Sequence, residues 1–477
     1  MSCTVRRLLR SRSARTSYSQ WCNQLPRTRA GVKYFHYSKQ LSKPSTIESA
    51  DGHLVGIKAG DSSPTPPLAT LPMPLLLRSL LISTGCAKPY LLTPSLSILS
   101  FLAKPGRGFL FSIEKNPLLY WLVKRTLYDQ FCIGETAAEA TRNMKKMHEL
   151  GISGIILTYA KETTFDHKSK TAHTPGFDAQ QGRTVEKCED IEAWRVGTLQ
   201  TVHMTGDGDQ VAIKMTGAGP VATEAFAAGN LPPKQMMDAL DEICEAASQV
   251  KSRIVIDAES QHFQKGIART SVALMRKHNT EQHPLVYHTY QCYLKGTRQR
   301  VAKDLALAAQ EGWAIGVKLV RGAYMSTDER SKIHNTKEET DEAYDSIVRD
   351  LLRRDSISFD GLKQWPRMSV LLATHNKNTV MKAHKLHEEI KDAGLHVVPV
   401  EFAQLHGMAD SLSFTLLNTK NAAGQTPKVL KCSTWGSLGE CMAYLLRRAI
   451  ENRQAVSRTQ DEFKAVKAEF SRRIFRL

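Results

Sequence analysis

From residue 150 onward, short β-branched runs alternate with segments of helical period, the pattern of βα units feeding a parallel sheet. Strands are expected at 152–158, 211–216, 253–258, 285–293, 314–320, 369–374, 396–402 and 428–432. Between them, Pro233 to Lys251 places Met236, Leu240, Ile243, Ala247 and Val250 at steps of three and four, the stripe of an amphipathic helix. The stretches 297–311 and 376–394 read the same way. Eight strands, each followed by a helix, predict an α/β fold closed as a (β/α)8 TIM barrel, with its active site at the C-terminal ends of the strands. The connection from Tyr159 to about Asp209 is too long for a simple crossover and is expected to form an insertion at the rim.

The predicted strand ends carry Lys214, Asp257, Gln291, the Arg321–Tyr324 turn, Thr374 with His375, the Glu401–His406 stretch and Cys432. Neighbouring strands lie ~4.8 Å apart, so Lys214 and Asp257 are placed to pair. A carboxylate there would keep the lysine charged despite burial. Near the C-terminus, Ser437 precedes Glu440 by three residues, a capping box. Leu438, Cys441, Met442, Leu445 and Ala449 then fall on one helix face. Arg447 and Arg448 stand on that helix with Glu451 four and three residues later, within reach of both. Two held guanidinium forks suit a carboxylate ligand; the same dipeptide also reads as an ordinary solvated face.

Charge is uneven along the chain. The first 50 residues hold ten lysines or arginines against the single acid Glu48. This arginine-rich, serine-rich, acid-poor stretch has the composition of a mitochondrial presequence. No basic run continues into a nucleic-acid-binding motif, so nucleic acid is not an expected partner. Nine cysteines without a CxxC argue against a disulfide framework or structural zinc, and no metal is expected. Residues 68–103 are leucine-rich but interrupted by Arg78, Lys88 and prolines, so no transmembrane helix is predicted. The organisation expected is a presequence over 1–50, a linker or arm over 51–130, the barrel over 131–453 and a basic amphipathic helix over 454–477. In that last segment Phe463, Val466, Phe470, Ile474 and Leu477 recur at helical spacing, a face for either an anionic membrane or the barrel.

The segments VAIKM, IDAES, KLVRGAY, ATHN, EFAQLHGMAD and YLLRRAIEN, in that order over roughly 130–453, resemble the proline dehydrogenase family. The resemblance implies a distorted barrel holding noncovalent FAD at its mouth, with the last helix laid over the site and an N-terminal extension. It assigns the L-proline carboxylate to Lys214, Arg447 and Arg448, pairs Asp257 with Lys214, packs Tyr324 on the substrate ring and lets Glu451 orient the arginines. Gln291, Lys318, Gly322, Ala323, Thr374 and His375 match flavin-contacting positions, and Arg321, Glu401 and Gln404 are grouped with them. The expected chemistry is hydride transfer to flavin N5, with electrons passing to ubiquinone on the matrix side of the mitochondrial inner membrane, where peripheral contact is expected.

Two departures bear on the chemistry. Lys318 stands where bacterial members commonly have arginine, keeping the cation without a bidentate fork. Cys432 stands where many members have tyrosine, fifteen residues before Arg447, which opens the question of 4-hydroxyproline and whether Trp435 fills the vacated space. Setting the resemblance aside, lysines ending strands two and five also suit a Schiff-base lyase using Lys214 or Lys318, and a non-enzymatic binding barrel is a further reading. GAGPVA at Gly217–Ala222 mimics a dinucleotide fingerprint but lacks its strand context. His384 and His387 read as a solvated helix face, while His406 could serve a cofactor or simply a backbone carbonyl.

Overall fold

The structure is a computed structural model that describes residues 66–102, 108–113, 115–160, 164–166, 171–173, 187–325, 327–356, 359, 361–421, 424–454 and 456–475. The presequence expectation therefore lies outside the described residues. Eight parallel strands form the barrel: β1 Gly154–Tyr159, β2 Gln210–Ile213, β3 Arg253–Ile256, β4 Val286–Gln291, β5 Ile315–Val320, β6 Met368–Ala373, β7 Val400–Leu405 and β8 Lys428–Trp435. Each pairs with the next, and β8 pairs back onto β1 from Leu430 opposite Gly154 to Trp435 opposite Tyr159, which closes the sheet.

Alternation along the strands builds two apolar layers. Ile156, Ala212, Val255, Tyr287, Leu371, Ala403 and Leu430 fill the barrel, with Ala373 and Cys432 at the edge of that cluster. The opposite faces pack under helices in a larger core that includes the Lys234–Gln249 helix, whose Met236, Leu240, Ile243 and Ala247 are fully buried as the spacing predicts. The helices Thr297–Glu311 and Lys377–Asp392 also match their expected spans. The long first connection contains a two-stranded hairpin, Thr164–Asp166 with Thr171–His173, before the helix Glu189–His203.

The seventh strand differs from the sequence expectation. Val397 and Val398 read as its start, but Pro399 follows them, and proline cannot donate to a ladder. The strand begins at Val400, beyond the proline, and Glu401 thereby moves from the end of the strand to its beginning.

The described part of the segment expected as a linker or arm contains the helices Met73–Ala87, Pro89–Leu102 and Pro117–Val123. Leu99, Ile113 and Val123 of this arm pack with Leu438, Cys441, Met442 and Leu445 of the helix Leu438–Gln454. A short strand, Cys132–Gly134, joins the sheet at the end of β8. The C-terminal helix Val456–Phe475 buries Val466 against Leu68, Leu71, Leu76 and Phe414, with Phe470 half-buried against the same cluster. Glu469, itself buried, pairs with Arg472 and Arg473, and Arg473 donates to the carbonyls of Leu68 and Ala69. The apolar face considered for a membrane is thus occupied by protein along Val466 and Phe470.

Candidate active site

Just past the C-terminal ends of β2 and β3, and within the C-terminal half of β5, one carboxylate is shared by two ammonium groups. Lys214 Nζ lies 2.9 Å from Asp257 Oδ2, and Lys318 Nζ lies 2.7 Å from Oδ1. Burial alone would raise the Asp257 carboxyl, but the two lysines outweigh it and hold it well below the usual carboxylate range. The pairing of Lys214 with Asp257 agrees with the strand-end argument; the participation of Lys318 in the same cluster was not foreseen. Trp194 Nε1–H donates to the Lys214 carbonyl and fixes the backbone where β2 ends.

Cys432, on β8, faces this cluster from across the barrel. Burial pushes its thiol up, while the cations Lys318, Lys214 and Arg448 pull it the other way. Trp435 does not fill the space beside it: it points outward, 5.4 Å from the Tyr159 ring, and donates to Thr201 Oγ1. Residues 432 and 435 of one strand necessarily face opposite sides.

The helix Leu438–Gln454 forms the roof. Its capping box is reciprocal: Ser437 N–H and Oγ–H reach Glu440 Oε2 at 2.9 and 2.8 Å, and Glu440 N–H points back to Ser437 Oγ. The Leu438 N–H donates to Glu135, which also accepts from Lys124 and Tyr120. Tyr128 Oη–H donates to the Gly436 carbonyl, 2.6 Å away. The start of the roof is therefore held by the arm. Arg448 is buried and lies over the Tyr444 ring at 5.0 Å, and Arg447 is half-buried beside it. Tyr444 was not singled out from the sequence, although its i,i+4 spacing to Arg448 was the available signal. The Glu451 side chain lies outside the described residues.

Tyr324 is buried, on a turn whose backbone is closed by Thr327 and Asp328 N–H donating to its carbonyl. Asp328 in turn accepts from Ser260 Oγ, Gln261 N and Tyr293 Oη. Gly322 has φ +140°, and a Cβ there would fall 2.4 Å from the Tyr293 ring, so the turn requires glycine. Gly322 and Ala323 are exposed at the mouth. Gln291 donates to the carbonyl of Glu259, a fully buried residue missed in the sequence reading, whose carboxylate accepts from Thr216 N and Oγ. His375 Nε2 accepts from Leu405 N–H, which in the neutral ring places the proton on Nδ1.

Three residues grouped with the cofactor are placed elsewhere. Glu401 sits at the opposite, N-terminal end of the barrel, bonded to Arg253 and Gln210, because β7 starts after Pro399. Gln404 points out of the barrel and bridges the Thr374 carbonyl and Ser413 Oγ. Arg321 is engaged by Asp341, Thr374 and Thr379 and stacks on Tyr344, so it braces Thr374 within the protein. His384 is buried edge-on to Phe402, and His387 contacts the Val398 carbonyl, so the solvated-face reading fails: both lie on the packed side of their helix. His406 is buried against Ser433 Oγ, with burial pushing its pKa down to about 3. GAGPVA forms a 3-10 turn and an eight-residue helix. Among the described residues, no group of three or more His, Cys, Asp or Glu could hold a metal ion.

The class defined so far is a closed α/β barrel with a cation-rich mouth beneath an arginine-bearing roof helix. Comparison with known proteins specifies it further. The sequence profile of the family described as proline dehydrogenase matches residues 140–461, and the chain belongs to that family. It is 27% identical over 445 residues to the probable mitochondrial proline dehydrogenase of Schizosaccharomyces pombe, covering 84% of this chain and 88% of that one. Against human mitochondrial proline dehydrogenase 1 the identity is 36% over 251 residues, half of this chain and 39% of the human one. Hydroxyproline dehydrogenase of Xenopus laevis is 27% identical, with 83% and 87% covered. In fold, the chain is similar to proline utilization A of Bdellovibrio bacteriovorus inactivated by N-propargylglycine, with TM-score 0.58, 18% identity, and 80% of this chain and 38% of that chain covered.

Proposed function

We propose that this protein is an FAD-dependent oxidoreductase that converts L-proline to 1-pyrroline-5-carboxylate in mitochondria, on the matrix side of the inner membrane, and passes the electrons to ubiquinone. The observation that carries the reading is the two-to-one ratio of cations to carboxylate in the Lys214–Asp257–Lys318 cluster beneath Arg448. That floor holds one more cation than carboxylate in a largely dehydrated mouth, which suits a small anionic substrate. In this reading Arg447, Arg448 and Lys214 hold the substrate carboxylate, and Tyr324 packs on its ring. Asp257 pairs with both lysines and aims them. The side-chain-poor turn at Gly322–Ala323 leaves room for a planar cofactor, and the buried Lys318 ammonium offers it a fixed positive charge. Gln291, Thr374 and His375 border the same mouth. When bound, FAD supplies the two-electron acceptor, and the protein contributes orientation and electrostatics.

The purified full-length protein is expected to be yellow and to bleach on anaerobic addition of L-proline. A colourless protein, trapped by borohydride with a carbonyl compound, would instead make it a Schiff-base lyase. Cys432 and the similarity to hydroxyproline dehydrogenases favour a second reading, in which 4-hydroxyproline is the substrate. A thiol is a weak hydrogen-bonding partner for a buried hydroxyl, which argues for proline. A higher kcat/KM with 4-hydroxyproline would reverse that assignment, and Cys432→Tyr should sharpen discrimination against it.

A further inference from the structure

Among the described residues, twelve of the nineteen exposed large hydrophobic side chains fall between Leu77 and Leu122. Their placement follows from helices that are apolar on both sides. In Pro89–Leu102, a helix without a single charged residue, Leu92, Leu96 and Leu99 are buried while Ile98 and Phe101 are exposed. In Pro117–Val123, Val123 turns inward and Leu118, Trp121 and Leu122, at helical steps of three and four, turn outward at 73%, 57% and 50% exposure. A helix that is hydrophobic all round belongs in a core or in lipid. The pieces are contiguous: Phe101 and Phe111 meet edge to face at 5.5 Å, and Asn116, which caps the Pro117–Val123 helix, also donates to the Leu110 carbonyl.

Charge discriminates between the candidate occupants of this face. Over 66–128 the sequence has seven lysines or arginines against the single acid Glu114. Arg78 and Lys124 turn toward Asp129, Glu135 and Glu139; Arg125 also reaches Asp129, at 3.6 Å, yet stays largely exposed, as does Lys115, on the same stretch as the apolar side chains. A second copy of the chain would bring the same positive charge against itself, whereas anionic headgroups neutralise it. Exposed tryptophan, tyrosine and phenylalanine beside cations form the composition of a bilayer interface. No helix among the described residues is long and apolar enough to cross a membrane, so the fitting mode is interfacial.

We propose that the exposed apolar side chains of helices Met73–Ala87, Pro89–Leu102 and Pro117–Val123, together with Phe109–Phe111, form an interfacial docking surface for an anionic lipid bilayer, which seats the roof side of the barrel against the membrane. This deepens the quinone reading above by assigning a surface to it, and it is testable without any turnover. Full-length protein is mixed with phosphatidylcholine vesicles containing phosphatidylglycerol and sedimented; binding is expected, and at least tenfold weaker association with vesicles of phosphatidylcholine alone. Leu118→Ser/Trp121→Ser/Leu122→Ser should lower association at least tenfold, and Lys115→Glu/Arg125→Glu should remove the preference for anionic vesicles. Proline oxidation with a soluble dye should be unchanged in both variants. Vesicle binding that survives the triple-serine change overturns the assignment, as does a full-length protein that ignores vesicles and loses a dimer when the three residues are changed. A folded protein that binds vesicles but does not oxidise proline would refute the proposed reaction and leave the docking surface standing.

Discussion

The barrel is closed at both ends by buried ionic groups, and the two ends differ in charge balance. At the N-terminal end, Arg253 donates to Glu401 at 2.7 Å and to Tyr287 Oη at 3.1 Å, and Gln210 donates to the second carboxylate oxygen at 2.8 Å. One cation meets one anion, with neutral partners taking up further valences. At the C-terminal end, two ammoniums share Asp257, and the arginine-bearing roof lies above. A charge-neutral cluster closes a core, whereas an unbalanced one retains affinity for an incoming ion. Charge balance, more than burial or bond length, separates the two clusters here, and under the proposed function it is what makes the second one the binding site.

The sharpest way to break this contrast is Asp257→Asn. With the shared anion gone, two buried ammoniums face each other, and stability should fall by about 3–5 kcal/mol, the range for breaking a buried pair. Proline turnover should be lost as well, and a melting curve with a steady-state assay checks both. Arg448→Met should weaken proline binding by ~2–4 kcal/mol through loss of a dehydrated charged partner, with little change in melting temperature; unaltered affinity would remove Arg448 from the carboxylate site. Glu401→Gln tests the other end. It should cost about 3 kcal/mol of stability, the lower edge of the buried-pair range, and leave kcat/KM of the folded protein intact. A specific loss of flavin affinity would restore Glu401 to the cofactor.

The smallest effect concerns acid. Asp257 has a depressed folded pKa, so its contribution is complete above its unfolded value near ~4 and fades only as pH falls through the lower folded value. His288 and His406 behave differently, because burial pushes both down to about 3. Below about pH 6.5 the unfolded chain binds protons that these two rings refuse, so stability should decline from there to about pH 3. His288→Phe, at a ring whose nitrogens have no hydrogen-bond partner, should flatten that decline. An unchanged acid limb in chemical denaturation would dismiss its role.

Most of the barrel was legible because strand and helix periods alternate cleanly, and the Lys214–Asp257 pair followed from adjacent strand ends. The failures were local. The Val397–Val398 run concealed the ladder-breaking effect of Pro399, and the resulting shift carried Glu401 to the wrong end of the barrel. Lysines and glutamates around His384 masked a position in register with buried Val380 and packed Ala383. Lys318 was placed at the mouth by family resemblance, but its contact with Asp257 depends on barrel curvature, which no linear spacing encodes. Tyr444 was overlooked because an aromatic amid leucines on a helix reads as packing.

The ties between arm and roof bear on how the molecule can be divided. The family match begins at residue 140, after Glu135, Tyr128 and the Cys132–Gly134 strand that secure Gly436, Leu438 and the end of β8. Kinship and cooperativity therefore draw different borders. A fragment cut at the first would keep Lys214, Asp257 and Lys318 and surrender the hinge on which their ceiling hangs, so a piece that refolds with its roof in place is expected to be longer than the piece that ancestry marks out.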